Sequence, residues 1–180
     1  MNFKKILIII FIFNINYNTA YSIQPDVFVQ STVNRASQIL SENLTKNEKI
    51  NRLKIIAKET VDIKAVGYYS LGSARKNLNE NQKQKYSELF EAYFLKSFSS
   101  RLAEYTNPEI QVNGKEVLNK NYTIVNSILI ATSERPEVKI DWRIYTKNPD
   151  RPLIRDLIIE GLSLARTQKE EFNSIIQGAD

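Results

Sequence analysis

The chain has 180 residues, with 25 lysine and arginine against 20 aspartate and glutamate, and it contains no cysteine and no histidine. Without these two residue types the sequence excludes disulfide bonds, a lipid-modified cysteine, an ordinary zinc site and catalysis by imidazole or thiolate. The net charge of +5 is too small to predict a nucleic-acid partner. Any enzyme here would have to work with carboxylates, lysine, tyrosine or serine.

The first residues are typical of an export signal. Two lysines precede an apolar run, Ile6–Phe13, which three asparagines then interrupt. A membrane-spanning helix needs about 20 apolar residues, so this run is too short to cross a bilayer. The small residues Ala20 and Ser22 predict cleavage after Ser22. We expect residues 1–22 to be a signal peptide and residues 23–180 to form one domain.

The first part of this domain has the apolar spacing of helices. Pro25 opens an amphipathic pattern, and Thr45 with Glu48 forms a possible capping box ahead of a second helix. A short third helix is predicted over 62–71, and Gly72 ends it, as glycine often does just past a helix.

A longer helical pattern follows and is unusually aromatic. Asn79 with Gln82 predicts its start, and the pattern runs to about Tyr105. Aromatic side chains recur on one face, which must be buried against something; they include Tyr86, Phe90, Tyr93, Phe94 and Phe98. Core packing and a ligand pocket both account for this pattern.

After Pro108 the apolar period changes from helical to alternating. Asn113–Gly114 predicts a hairpin turn, and strands are expected over 122–131, 138–145 and 153–160. Thr167 with Glu170 predicts the start of a closing helix. We expect an α+β fold in which N-terminal helices pack on one face of a curved antiparallel sheet, with a closing C-terminal helix.

Asp156 and Glu160 are the carboxylate pair that could support acid–base chemistry. On a strand their backbones would lie about 13 Å apart. Glycosidase carboxylate pairs are separated by about 5 to 9.5 Å. We therefore expect a protein that is not an enzyme.

The end of the chain resembles a known family. The stretch from Asp156 through Glu160, Gly161 and Ser163, followed by Phe172, is similar to the terminal signature of the MlaC family of phospholipid-binding proteins. Further matches keep the family's order and extend the similarity over about residues 25–177; they are Leu71–Gly72, Gln82, Phe90, Tyr105 and Trp142. The chain departs from the family pattern at Pro152, a frequent tryptophan, and at Arg155, a frequent tyrosine.

The resemblance implies a periplasmic carrier of a diacyl phospholipid, with no cofactor and no metal. Its partners would be an inner-membrane ABC transporter complex for lipid transport and an outer-membrane lipoprotein complex, and the transport would serve outer-membrane lipid asymmetry. Exposing two acyl chains of about 15 methylenes each to water would cost about 24 kcal/mol, so such a carrier must enclose both chains.

Two walls of an acyl-chain pocket are our hypothesis. One is formed by Phe90, Phe94 and Phe98, and the other by the strand residues Ile128, Ile130, Val138, Ile140, Trp142 and Ile144. The signature residues Asp156, Glu160, Gly161 and Ser163 are interpreted as structural, because glycine and serine are common where a strand gives way to a helix. The alternative is a periplasmic adaptor or binding module with a solid core and no lipid.

Overall fold

The computed structural model describes residues 22–178. Residues 1–21 of the predicted signal peptide lie outside the described residues. The helices and strands follow in the order α1 (Pro25–Ser41), α2 (Lys46–Thr60), α3 (Ile63–Ser70), a 3₁₀ turn (Ala74–Asn77), α4 (Glu80–Leu102), β1 (Ile110–Asn119), β2 (Tyr122–Leu129), β3 (Val138–Tyr145), β4 (Leu153–Ile159), β5 (Leu162–Ser163) and α5 (Leu164–Gln177). None of the helices in this range is long and apolar enough to cross a membrane.

Two capping boxes set the starts of α2 and α4. The Thr45 amide donates to the Glu48 carboxylate at 2.9 Å, and the Glu48 amide donates back to the Thr45 hydroxyl at 3.3 Å. Asn79 and Gln82 make the same reciprocal pair at 2.9 Å in both directions. Each box satisfies two amides that have no partner within the helix. Both predicted helix starts are confirmed.

The five strands form one antiparallel sheet in chain order, β1-β2-β3-β4-β5. Helix α1 packs against β1 and β2, while α3 and α5 pack against β4. Helix α4 packs on α2 and α3. The predicted fold class is confirmed, and β3 has the alternating burial expected for residues 138–145.

The predicted hairpin turn at Asn113–Gly114 is wrong. β1 continues through both residues, and the register against β2 shifts between Val112 and Gly114, which makes this a β-bulge. A glycine inside a strand is compatible with a bulge as well as with a turn. The chain instead turns between Asn119 and Tyr122, which pair with each other across the hairpin.

The last strand and the closing helix also differ from the prediction. β4 ends at Ile159, and Glu160 and Gly161 have φ values of +49° and +80°. Such angles make a tight two-residue turn, so the short β5 pairs back onto β4. Helix α5 starts earlier than Thr167, because the Ser163 hydroxyl accepts from the Arg166 amide and caps it.

The buried apolar side chains fall into two clusters. The sheet cluster joins α1 to the strands and consists of Val29, Val33, Val125, Leu129, Ile140, Trp142, Ile144 and Ile154. The helix cluster is built on Ala57, Ile63, Phe90 and Leu95, with Tyr86, Phe94, Phe98 and Phe172 packed around them. Val61, between α2 and α3, packs against both clusters and marks the seam between them.

Candidate functional site

A cleft of about 610 Å³ opens where α3, α5 and the sheet meet. Its size lies within the range of about 300 to 1,000 Å³ that small-molecule sites occupy. Its walls come from α3, the 3₁₀ turn, the tip of the β1–β2 hairpin, β3, β4 and the start of α5; they are lined by Ala65, Val66, Tyr68, Tyr69, Arg75, Leu118, Asn119, Tyr122, Arg143, Arg155, Asp156 and Ala165.

Arg155 is held firmly in the cleft wall. Its Nε and Nη2 atoms lie 2.9 Å and 2.8 Å from Oδ2 of Asp62, and its Nη1 donates to the Tyr122 hydroxyl at 2.8 Å. The guanidinium also lies 3.5 Å from the ring centre of Tyr145, a cation–π distance. Burial lowers the pKa of Arg155, but the hydrogen bonds that Arg155 donates to Tyr122 and Asp62 outweigh this and raise the pKa above its ordinary value. Arg155 is therefore a fixed positive charge.

Asp156 joins β4 to the start of α5. Its side chain is 2% exposed, and its carboxylate accepts from the Ser163 hydroxyl at 2.6 Å and from the Ala165 amide at 3.0 Å. The nearest guanidinium nitrogen of Arg143 is 3.6 Å away. That distance is too long for a hydrogen bond but keeps the two charges attracted to each other.

Glu160 and Gly161 form the turn after β4 rather than a wall of the cleft. The Lys139 amide donates to the Glu160 carboxylate at 2.5 Å, and the Glu160 amide donates to the Lys139 carbonyl at 3.0 Å. A glutamate in the left-handed region is unusual, and these two bonds hold it there. Asp156, Glu160 and Ser163 are thus all engaged by groups of the chain itself.

The three predicted phenylalanines lie together in the helix cluster. Phe90 and Phe94 stack with ring centres 6.2 Å apart, and Phe94 and Phe98 stack at 5.2 Å. Phe172 of α5 meets Phe90 edge-on at 6.1 Å. Gly67 on α3 allows α3 to approach this stack, since a Cβ there would lie 2.7 Å from the Phe90 ring.

The predicted strand residues divide between the two sheet faces. Ile140, Trp142 and Ile144 are buried in the sheet cluster, and Val138 packs against it. Ile128 alternates with the cluster residue Leu129 and so lies on the opposite face, and Ile130 follows the end of β2. The structure therefore places the two predicted walls in separate clusters that meet at Val61, and their role in holding a ligand stays a prediction.

Val66 connects the cleft to the aromatic residues. It lines the cleft from α3 and also packs against the helix cluster that contains Phe90, Phe94 and Phe98. The sequence reasoning missed this cleft, because its residues come from six separated segments. Two of its lining residues carried a signal in the sequence, Asp156 as a signature residue and Arg155 as a departure from the family pattern.

The fold and the cleft define an α+β domain in which a five-stranded antiparallel sheet, with helices against it, borders a ligand-sized opening. The chain belongs to the MlaC family, whose sequence model, described as "MlaC protein", matches residues 30–180. This confirms the family resemblance.

The fold is also found in solved structures. Among them is the phospholipid-binding protein from Ralstonia solanacearum, determined in complex with a phospholipid, which superposes with a TM-score of 0.72 over 87% of this chain and 89% of that one. The two sequences are 16% identical, so this similarity shows the fold alone. No curated protein matches the sequence.

Proposed function

We propose that this protein is a phospholipid carrier that encloses acyl chains and releases them to a partner. Membership of the MlaC family supports this proposal, as does the fold shared with a protein that was solved with a phospholipid bound. The single observation that carries it is the continuity between the cleft and the aromatic residues through Val66. Val66 thus belongs both to the cleft and to the apolar surface that acyl chains need.

The acyl chains would be enclosed along the seam between the two clusters. Phe90, Phe94 and Phe98 would form one wall, and Ile140, Trp142 and Ile144 the other, with Val61 at the seam between them. The sequence also predicts Ile128, Ile130 and Val138 for this second wall. Val138 packs beside it, whereas Ile128 lies on the other face of the sheet. Each buried methylene contributes about 0.8 kcal/mol, so the chains and not the head group would dominate affinity.

The predicted export signal would direct this carrier to the periplasm, with residues 1–22 removed and residues 23–180 acting as one domain. It would shuttle lipid between an inner-membrane ABC transporter complex and an outer-membrane lipoprotein complex. It would act as a binding protein and not as an enzyme, and it would use no cofactor.

Lipid mass spectrometry of the protein purified from expressing cells tests the proposal. We expect about one phospholipid per chain, and uptake of lipid from phosphatidylglycerol vesicles after delipidation. Protein that is purified without lipid and takes up none would contradict the proposal and support the adaptor with a solid core.

Substitution of one wall residue refines this test. Ile140→Asp should lower lipid occupancy more than it lowers the yield of folded protein, since Ile140 would face the acyl chains. Ile55→Asp is the matched control, because Ile55 is 57% exposed on α2. Equal losses of occupancy and yield for Ile140→Asp would show that Ile140 is ordinary core.

A further inference from the structure

The cleft has an excess of positive charge. Three guanidinium groups line it, those of Arg75, Arg143 and Arg155, together with one carboxylate, that of Asp156. Asp62 adds a second carboxylate through its ion pair with Arg155. The charges therefore do not cancel, and the local field favours an anion.

The guanidinium N–H groups of Arg143 can donate hydrogen bonds to a ligand in the cleft. It lies opposite Asp156 in the β3–β4 register, yet both carboxylate oxygens of Asp156 already accept shorter bonds from Ser163 and Ala165. Within residues 22–178 the Arg143 guanidinium donates no hydrogen bond, and its side chain is 42% exposed. A guanidinium presents N–H groups in a fork that matches two phosphate oxygens.

Two other cleft residues can donate to the same anion. The Tyr122 oxygen accepts from Arg155, which leaves its own proton free to point into the cleft that Tyr122 lines. Arg75 lines the cleft from the 3₁₀ turn, is exposed, and makes no ion pair within the described part of the chain.

Part of the remaining lining is apolar. Ala65, Val66, Leu118 and Ala165 share the cleft with these donors, and Val66 leads on to the helix cluster. An amphipathic ligand with a phosphate at one end and hydrocarbon at the other fits such a division.

We propose that Arg143, Arg75 and the Tyr122 hydroxyl hold the phosphate group of the bound lipid, with Arg155 fixing Tyr122 in place. This inference rests on the proposed function and assigns the end of the cleft at which the head group sits. It predicts recognition of the phosphate itself, since the cleft provides donors for its oxygens.

Two lipids that differ only in the phosphate test this inference. Delipidated protein is titrated with phosphatidic acid and with diacylglycerol of the same acyl chains, each presented on methyl-β-cyclodextrin, and binding is followed by native mass spectrometry. We expect phosphatidic acid to bind at least about tenfold more tightly, as a charged hydrogen-bonded contact provides. Arg143→Gln should remove about tenfold of the affinity for phosphatidic acid and leave diacylglycerol binding unchanged.

Arg75→Gln provides a second variant in case loss of Arg143 beside the buried Asp156 impairs folding. We expect it to weaken phosphatidic acid binding by about threefold, as loss of an exposed charge contact does. Arg101→Gln, which removes the same charge from the exposed end of α4, is the matched control and should change neither affinity.

Four outcomes would overturn the inference. If the wild-type protein binds both lipids equally, or if the variants weaken both lipids alike, the phosphate is not held here while lipid binding stands. Micromolar binding of inorganic phosphate that phosphatidic acid does not displace would assign the cleft to a soluble anion. If neither lipid binds, the proposed function fails as well.

Discussion

The Asp62 carboxylate at the start of α3 is clamped by Arg155 on β4, with Oδ2 lying 2.9 Å from Nε and 2.8 Å from Nη2. The same segment is tied down by its backbone, since the Asp62 amide donates to the Ile154 carbonyl at 2.9 Å and Val61 bridges to Ile154. The link between α2 and α3 is thereby attached to the sheet beside the cleft.

The Asp62–Arg155 pair should contribute to stability. Asp62→Asn keeps the cap on the Ala65 amide but removes the charge, and we expect the free energy of unfolding to fall by about 1 to 2 kcal/mol. Urea unfolding of both single variants and of the Asp62→Asn/Arg155→Gln double variant measures the coupling. The exposed pair Arg35–Glu59 is the control and should show less than about 1 kcal/mol. Strict additivity at Asp62 and Arg155 would contradict the clamp.

Gly67→Ala should destabilise the protein through contact with Phe90. The added Cβ would lie 2.7 Å and 2.9 Å from two ring carbons of a residue that is 3% exposed. Overpacking costs about 1 to 3 kcal/mol, which exceeds the gain of about 0.5 to 1 kcal/mol from alanine in a helix. Thermal unfolding should show a net loss. Phe90→Leu should be less harmful in the Gly67→Ala background than alone, and an equal cost in both backgrounds would disprove the contact.

Gly161→Ala should cost about 1 kcal/mol for a different reason. A Cβ at Gly161 would meet no heavy atom within 4 Å, but φ is +80°, where an L-residue is strained. Urea unfolding should therefore show a loss that no neighbouring substitution relieves. A neutral result would mean that the turn adopts another conformation.

Asp26 should make the free energy of unfolding depend on pH in the acid range. A hydrogen bond from Lys115 at 2.7 Å lowers the pKa of Asp26, so the folded state favours the carboxylate. The contribution of Asp26 to the free energy of unfolding is fully present above its unfolded-state pKa of about 3.9. It is lost as the pH falls through the lower pKa that Asp26 has in the folded state. The side chains are about one-third exposed, so the effect at pH 7 should be below about 1 kcal/mol.

Asp26→Asn measures this effect. The difference in unfolding free energy between wild type and Asp26→Asn should be present at pH 7 and narrow as the pH falls below about 4. In a Lys115→Gln background the same substitution should have little effect. A difference that persists unchanged at pH 2.5 would refute the assignment.

Ala65→Trp should block the cleft without disturbing either cluster. Ala65 lines the cleft from α3, and an indole there would project into the cleft of about 610 Å³. We expect lipid occupancy to fall by about tenfold or more, which corresponds to about 1.4 kcal/mol. Ala92→Trp on the exposed surface of α4 is the control. Full occupancy in Ala65→Trp would place the entrance elsewhere.

Local signals in the sequence predicted the helices and one strand well. The two capping boxes act over three residues, so their hydrogen bonds can be inferred without tertiary structure; they are Thr45 with Glu48 and Asn79 with Gln82. The alternation over 138–145 predicted β3 for a similar reason, because one face of that strand is buried.

The errors arise where distant segments decide the outcome. Asn113–Gly114 is a bulge because β2 pairs on both sides of it, and the amide of Val112 is bonded to the Gln30 side chain on α1. The aromatic face of α4 indicates that this side of the helix is buried, but the sequence does not indicate which elements cover it. In the structure, α4 packs on α2 and α3. The cleft could not be predicted, since residues far apart in the sequence, such as Arg75, Tyr122 and Arg143, line one cleft only after folding.

Both borders of the sheet are partly occupied by other groups of the chain. On β1 the Gln30 carboxamide accepts from the Val112 amide and donates to the Ile110 carbonyl, as a neighbouring backbone would. On β4 the Val61–Asp62 segment pairs with Ile154, and β5 pairs with Ile158 and Ile159. A foreign chain would have to displace these groups before it could pair with those stretches by strand addition, so these parts of the sheet resist edge-to-edge polymerisation.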